Sequence, residues 1–376
     1  MPKTNRRFCA RAALLCCSIL AALVLLCGGC GRSTTPNAGP NPEQIAALGE
    51  AGAHYQRGIE LYDAGQYRKA LRSFRRAVEL DPDDPRPHLE IGACYAKLGN
   101  DKRELAAYDA ALAVSPEFVA AYNSRGVALL RQDRTEEAIA AFEQALKRDV
   151  KYAPAHVNIA IAYSELGKYD LALVSLDNAA EFGAPAFDVL SNKGAVLMKL
   201  ERYAEAADAF DRALKERPGY LPVRLERAAA LAKADRPYEA IGELERLTTL
   251  QPNYTEAYLE KARLLARVGK PEAAIEQFYK YLKMAPKDAQ AWNELGNVLF
   301  ALGQYEKAEA AFRNAVKYRV DFYIAYLNLA STVQRLGREH DAESILRKAQ
   351  RYKPAEAAGD KPAEAAGDKP AQETGS

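Results

Sequence analysis

The sequence predicts an all-α protein, a solenoid of nine helix-turn-helix units laid end to end. Three observations carry this reading: a 34-residue period, turn residues at fixed offsets within it, and a composition that favours helices. The chain is 49% hydrophobic and 27% charged, a balance that sustains a folded core and excludes the intrinsically disordered class. Its apolar share rests largely on alanine, leucine and tyrosine, and alanine and leucine are the best helix formers. The formal charge of +2 creates no global field of the kind that points to nucleic acid.

The first element is an export leader over residues 1–29. Lys3, Arg6, Arg7 and Arg11 form a basic start, followed by an apolar run from Ala12 to Leu26. As a helix that run rises about 22 Å, short of the ~30 Å hydrocarbon core, so a signal peptide fits better than a membrane span. The run ends in Leu26-Cys27-Gly28-Gly29-Cys30-Gly31. This resembles a bacterial lipobox, in which small residues precede a cysteine that is lipidated and begins the mature protein. Gly28 and Gly29 supply the small side chains, and Cys30 is the expected acyl acceptor. Cys27 stands where such motifs usually carry leucine, and an uncleaved signal anchor in the inner membrane is the alternative. Cleavage would remove four basic residues and no acidic one, taking the formal charge from +2 to −2. Residues 30–50, rich at first in Pro, Gly, Ser and Asn, are expected to form a flexible tether behind the anchor. By resemblance to sorting in Gram-negative bacteria, the absence of aspartate after Cys30 implies the periplasmic face of the outer membrane.

The repeat body spans residues 51–356. With Ala51 as position 1, position 8 is small in every unit: Gly58, Gly92, Gly126, Ala160, Gly194, Ala228, Ala262, Gly296 and Ala330. Position 20 is alanine from Ala70 to Ala342 except at Glu104, and position 24 is large, from Phe74 to Leu346. Glycine marks the first turn in six units (Gly65, Gly99, Gly167, Gly269, Gly303, Gly337), where a left-handed helix cap is needed. Proline closes six units (Pro82, Pro116, Pro218, Pro252, Pro286, Pro354), because it stops the second helix. Small residues let the helix backbones approach and the large residue fills the gap between neighbours. One such unit cannot bury its apolar face alone, whereas nine stacked units produce one continuous core. After the last unit, Lys353-Pro354-Ala355-Glu356-Ala357-Ala358-Gly359-Asp360 recurs as 361–368, and residues 357–376 are expected to be disordered.

The pattern resembles the tetratricopeptide repeat (TPR) family. Trp292, Gly296, Tyr305, Ala308, Phe312 and Ala315, preceded by Pro286, give the closest unit; Glu104, Val150, Ala184 and Val320 depart from it. The resemblance implies a right-handed superhelix whose first helices (helix A of each unit) line a concave, peptide-binding groove.

No phosphate-binding loop, HExxH, GxSxG or paired-cysteine metal signature occurs, so neither an enzyme nor a cofactor or metal is expected. Cys94 and the co-positioned His54, His88 and His156 are expected to pack between helices, and His340 to be exposed. By the family analogy, repeat positions 2, 5, 6, 9, 12 and 13 face the ligand. Asn123 and Asn293 fall at position 5, Asn158, Asn192 and Asn328 at position 6, and Asn297 at position 9. A side-chain amide can donate to and accept from a peptide bond, so spaced asparagines can hold an extended backbone; alternatively they are merely solvated. Position 13 carries Lys97, Arg131, Lys199, Lys233, Arg267 and Arg335. They can attract an acidic partner segment, or simply complement the helix dipole by about 0.3–1 kcal/mol each, and both can hold.

The expected function is therefore a non-catalytic scaffold, lipid-anchored in the bacterial envelope and holding an extended segment of an envelope protein. Such proteins resemble pilus and secretin assembly lipoproteins and adaptors of cell-wall enzymes. The competing readings are a structural element that self-associates through its terminal repeats, to give a homodimer for instance, and an inner-membrane signal-anchored adaptor.

Overall fold

Helix begins earlier than the repeat pattern does. In the computed structural model, which describes residues 42–353, the first helix opens at Pro42. The leader, Cys30 and residues 357–376 lie outside the described residues. Residues 42–50, read from sequence as tether, belong instead to the first helix, because Glu43 to Glu50 contain no proline and run in helical register into Ala51.

Eighteen α-helices and no strand occur among the described residues. The helix-A series is α1 (Pro42–Asp63), α3 (Arg86–Lys97), α5 (Val119–Arg131), α7 (Ala153–Glu165), α9 (Ala186–Lys199), α11 (Leu221–Lys233), α13 (Thr255–Arg267), α15 (Ala289–Ala301) and α17 (Tyr323–Arg335). The helix-B series is α2 (Tyr67–Leu80), α4 (Asp101–Val114), α6 (Thr135–Arg148), α8 (Tyr169–Glu181), α10 (Tyr203–Glu216), α12 (Pro237–Leu250), α14 (Pro271–Met284), α16 (Tyr305–Tyr318) and α18 (Glu339–Ala349). A short 3₁₀ turn, Gln350–Tyr352, ends the array. Each helix packs on its predecessor and successor in the chain, as a solenoid requires.

The A–B turn is the same in all nine units. Position 15 is left-handed throughout: six glycines with φ from 68° to 77°, and Asp133, Glu201 and Asp235 at 58° to 59°. The amide after it returns to the carbonyl five residues back, as in Gln66 to Leu61 at 2.8 Å and Glu201's successor Arg202 to Leu197 at 2.9 Å. Orphan carbonyls at the end of helix A are thereby satisfied. The three non-glycine positions carry the Cβ crowding that this conformation imposes.

The B–A turn has a side-chain device that the repeat pattern does not reveal. The residue at position 4 reaches the carbonyl six residues earlier: His156 to Val150 at 2.8 Å, Arg224 to Pro218 at 2.8 Å, Tyr258 to Pro252 at 3.1 Å and Trp292 to Pro286 at 2.8 Å. A donor on a flat or extended stem is what these residue types share. Leu190 holds the same position without a donor, and there the turn is built differently. Gly183 adopts φ 83° and Ala184 donates back to Ala179 at 2.8 Å.

Packing follows a small-against-large rule. An ideal Cβ at Gly58, Gly92, Gly126, Gly194 or Gly296 would stand 2.3–2.5 Å from the aromatic Cε1 at position 24 of the same unit. These five units pair glycine with Phe74, Tyr108, Phe142, Phe210 and Phe312. Three units with alanine instead (Ala160, Ala228, Ala330) pair it with the shorter Leu176, Leu244 and Leu346. Ala262 with Phe278 is the exception, both fully buried.

The apolar core is continuous from repeat 3 to repeat 9, its sections joined through Ile161, Tyr163 and Leu173. Repeats 1 and 2 form a separate cluster around Phe74 and Cys94. A single core through all nine units was expected; Leu105 of repeat 2 does pack on the repeat-3 section, and the apolar surface beside it is interrupted by Glu104. Where other units bury alanine, it places a carboxylate only 2% exposed, which requires a cation, and Arg131 of the next unit supplies one. At the far end α18 presents exposed Glu343, Arg347 and Lys348 and serves as its own polar cap.

Candidate binding groove

The helix-A series brings the predicted columns together on one face, but most of the asparagines are already engaged. Asn158 Nδ2 donates to Asn123 Oδ1 at 2.8 Å, and Asn328 Nδ2 donates to Asn293 Oδ1 at 3.0 Å and to Asn297 Oδ1 at 3.1 Å. The amides at positions 5 and 6 of adjacent repeats therefore link consecutive A helices. Asn192 turns back to its own helix, donating to the Asp188 carbonyl at 2.8 Å. Asn158 and Asn293 are buried, Asn297 is exposed, and Asn123, Asn192 and Asn328 are half-buried. Each linked pair keeps one carbonyl oxygen and one amide group with spare capacity.

The basic column lies exposed in the last turn of its helices, where the dipole favours cations. Its members differ in their commitments. Arg131 is neutralised by Glu104, Arg267 donates to the Ala232 carbonyl at 2.9 Å, and Lys233 lies over the Tyr203 ring at 5.2 Å. Lys199 and Lys233 flank Glu226. That carboxylate is exposed at its own helix surface, yet the surrounding protein desolvates it enough to raise its pKa against the pull of both lysines. The behaviour is that of a group in a recess.

From sequence, Glu90, Glu226, Glu260 and Glu294 at position 6 only interrupt the asparagine row; the structure gives most of them partners. Arg263 Nε and Nη2 grip Glu294 at 2.8 and 3.0 Å, and Nη1 reaches Glu260 at 2.7 Å. The hydrogen bonds it donates to Glu294 hold the Arg263 guanidinium well above its ordinary range. Gln290 adds a bond to Glu294 at 3.1 Å, so the helix-A face of repeats 7 and 8 is largely self-satisfied. Glu90, at the same repeat position, is buried, and desolvation followed by repulsion from Asp63 raises its carboxyl to about 7. The signal was available in the sequence: position 6 carries Glu in four units and Asn in three, and position 13 is Asp63 in the first unit where most others carry a cation.

His156 is buried and bonded to a backbone carbonyl, and His54 and His88 are half-buried, in line with a packing role; His340 is exposed. Cys94 is fully buried, and burial together with Glu90 pushes its thiol up to about 12, so it is an inert packing group. No group of three or more metal-ligating side chains occurs among the described residues, and none of their helices is long and apolar enough to cross a membrane.

Family models match along the chain. "TPR repeat" matches residues 58–99, and "Tetratricopeptide repeat" models match 105–154, 187–220, 255–298, 289–322 and 323–356. No curated protein matches. Among solved structures, PilF of Pseudomonas aeruginosa is similar at 20% identity and a TM-score of 0.51, over 60% of this chain and 99% of that one. YrrB, described as a TPR protein with an unusual peptide-binding site, is similar at 27% identity and TM-score 0.44, over 50% of this chain and 96% of that one. A thermophilic TPR protein of Thermus thermophilus is similar at 27% identity and TM-score 0.43, over 48% and 99% of the two chains.

Proposed function

Because the chain belongs to the tetratricopeptide repeat family, a family of protein-interaction scaffolds, we propose that its helix-A face holds an extended segment of another protein. The observation that carries this reading is the two inter-repeat amide links, Asn123–Asn158 and Asn293–Asn328. Each link is preorganised by internal hydrogen bonds, and its half-buried member keeps one group for a peptide backbone, the Asn123 amide N–H in the first and Asn328 Oδ1 in the second, so little side-chain entropy is lost on binding. The half-buried Val127, Ile161 and Met198 flank the first link and Asn192, and supply apolar contact for alternate side chains of an extended strand. Binding is spread over many modest contacts, and the chain works without catalysis or cofactor.

The partner is an envelope protein, and Cys30 carries the lipid that tethers the array to the outer membrane. The support for this part is the leader itself, with its basic start, short apolar run and Gly28-Gly29-Cys30 ending. In-cell crosslinking and capture tests both parts. Wild type should retain an envelope protein that the triple variant Asn158→Ala, Asn192→Ala, Asn328→Ala loses, and Cys30→Ser should release the array from the membrane fraction. Identical captures from wild type and the triple variant, or recovery of the protein alone, would replace the groove reading with a structural, self-associating one. An intact amino terminus from Met1 in mass spectrometry would remove the anchor.

A further inference from the structure

We propose that the first two repeats close the groove with a cation-accepting carboxylate pair, Asp63 and Glu90, which receives a lysine or arginine side chain of the bound segment. The inference rests on the groove reading above and adds to it the chemistry of one end of the ligand.

The argument starts from the repeat. Position 6 carries glutamate in four units: Glu90, Glu226, Glu260 and Glu294. Three of them have a cation of the array. Glu226 has Lys199 and Lys233, one each side, and Glu260 and Glu294 share Arg263. Glu90 has none. The last turn of the preceding helix A, which presents Lys199 to Glu226, presents Asp63 to Glu90. The substitution converts an internally balanced pair into two carboxylates facing each other.

Burial sharpens the contrast. Glu90 is 7% exposed and makes no hydrogen bond among the described residues, while Asp63, at the end of the preceding helix A, is exposed and near enough to repel it. Around Glu90 stand Tyr62 of α1, Cys94 of its own helix and Tyr108 of α4, none of which is cationic. Lys97, two turns along the same helix, is exposed and does not offset it. A buried, unpartnered acid is normally eliminated or paired. Here burial and Asp63 hold Glu90 near neutrality, so that an arriving cation would complete the pair and drive off the proton. Its place at position 6, the column that lines the ligand face, puts the missing cation on the partner. An ammonium or guanidinium meets both needs, because it brings charge and donors together on a stem long enough to reach past the exposed Asp63.

The test uses the full chain in detergent and two short blocked alanine–serine peptides, one with a single central lysine and one with norleucine there. Backbone amide shifts report where each binds. The lysine peptide should perturb Asp63 and Glu90 and bind about ten-fold more tightly. That advantage should grow as pH rises through about 7, where Glu90 ionises, and vanish in Glu90→Gln and in Asp63→Asn. Glu90→Gln removes a buried acid without changing its shape, so loss of folding will not obscure the result. Equal binding of the two peptides elsewhere along the helix-A face would overturn the cation site and leave the groove standing. Shifts at no helix-A residue with either peptide would overturn the groove reading and this inference with it.

Discussion

Gly126→Ala tests whether the small-against-large rule governs packing inside a unit. The new methyl would lie 2.4 Å from Cε1 of Phe142, 2.7 Å from Cδ1 and 2.8 Å from Cζ. Carbon contacts relax only near 3.5–4 Å, so the ring or the helix must move by about 1 Å. Phe142 is fully buried and cannot swing to solvent. Overpacking of this kind costs about 1–3 kcal/mol, against a gain of about 1 kcal/mol from replacing a mid-helix glycine, for a net loss of up to about 2 kcal/mol. Phe142→Leu alone leaves a small cavity and should cost about 1–2 kcal/mol. Combined, the two reproduce the pairing already present at Ala160–Leu176 and Ala228–Leu244, and the double variant should recover about 1–2 kcal/mol relative to the sum of the singles. Native-state hydrogen exchange of α5 and α6 reads this locally, which matters because a solenoid need not unfold in one step. Strict additivity of the two losses would refute the argument, since the methyl and the ring would then not compete for the same space.

The same reasoning reaches three other positions. Glu201→Gly should raise the urea midpoint by a stability gain of about 0.5–1 kcal/mol, because the strain of φ 59° at a residue with Cβ outweighs the entropy of glycine; a loss would show that the turn is unstrained. Glu90 has its pKa raised from 4.5 to about 7 in the folded state, so the folded protein holds more protons than the unfolded one between those values. Its contribution therefore worsens as pH rises through that window and reaches about 3 kcal/mol of destabilisation above pH 7. Glu90→Gln should remove this slope and leave the variant more stable than wild type in alkaline denaturation curves, with little difference below pH 4.5; parallel curves would contradict the assignment. Tyr258→Phe deletes the bond to the Pro252 carbonyl at 3.1 Å and should cost about 0.5–1 kcal/mol, with faster exchange confined to the turn before α13.

The sequence by itself determined the architecture: nine units, two helices in each, the left-handed turn and the small and large positions. These properties repeat because they are local. A helix face recurs every 3.6 residues, and a positive φ asks for glycine wherever it occurs, so both leave their mark on consecutive residues. The start of α1 was hidden because Pro42 initiates a helix outside the repeat pattern. The tertiary structure alone decided how the polar residues of the helix-A face pair. Asn158 meets Asn123, and Asn328 meets Asn293, 35 residues away in sequence. Arg131 of the basic column neutralises Glu104, 27 residues before it, and Asp63 rather than a lysine confronts Glu90. Such pairings depend on how far one repeat is rotated and shifted against the next. That offset is set by the summed packing of whole helices, and no short stretch of sequence encodes it.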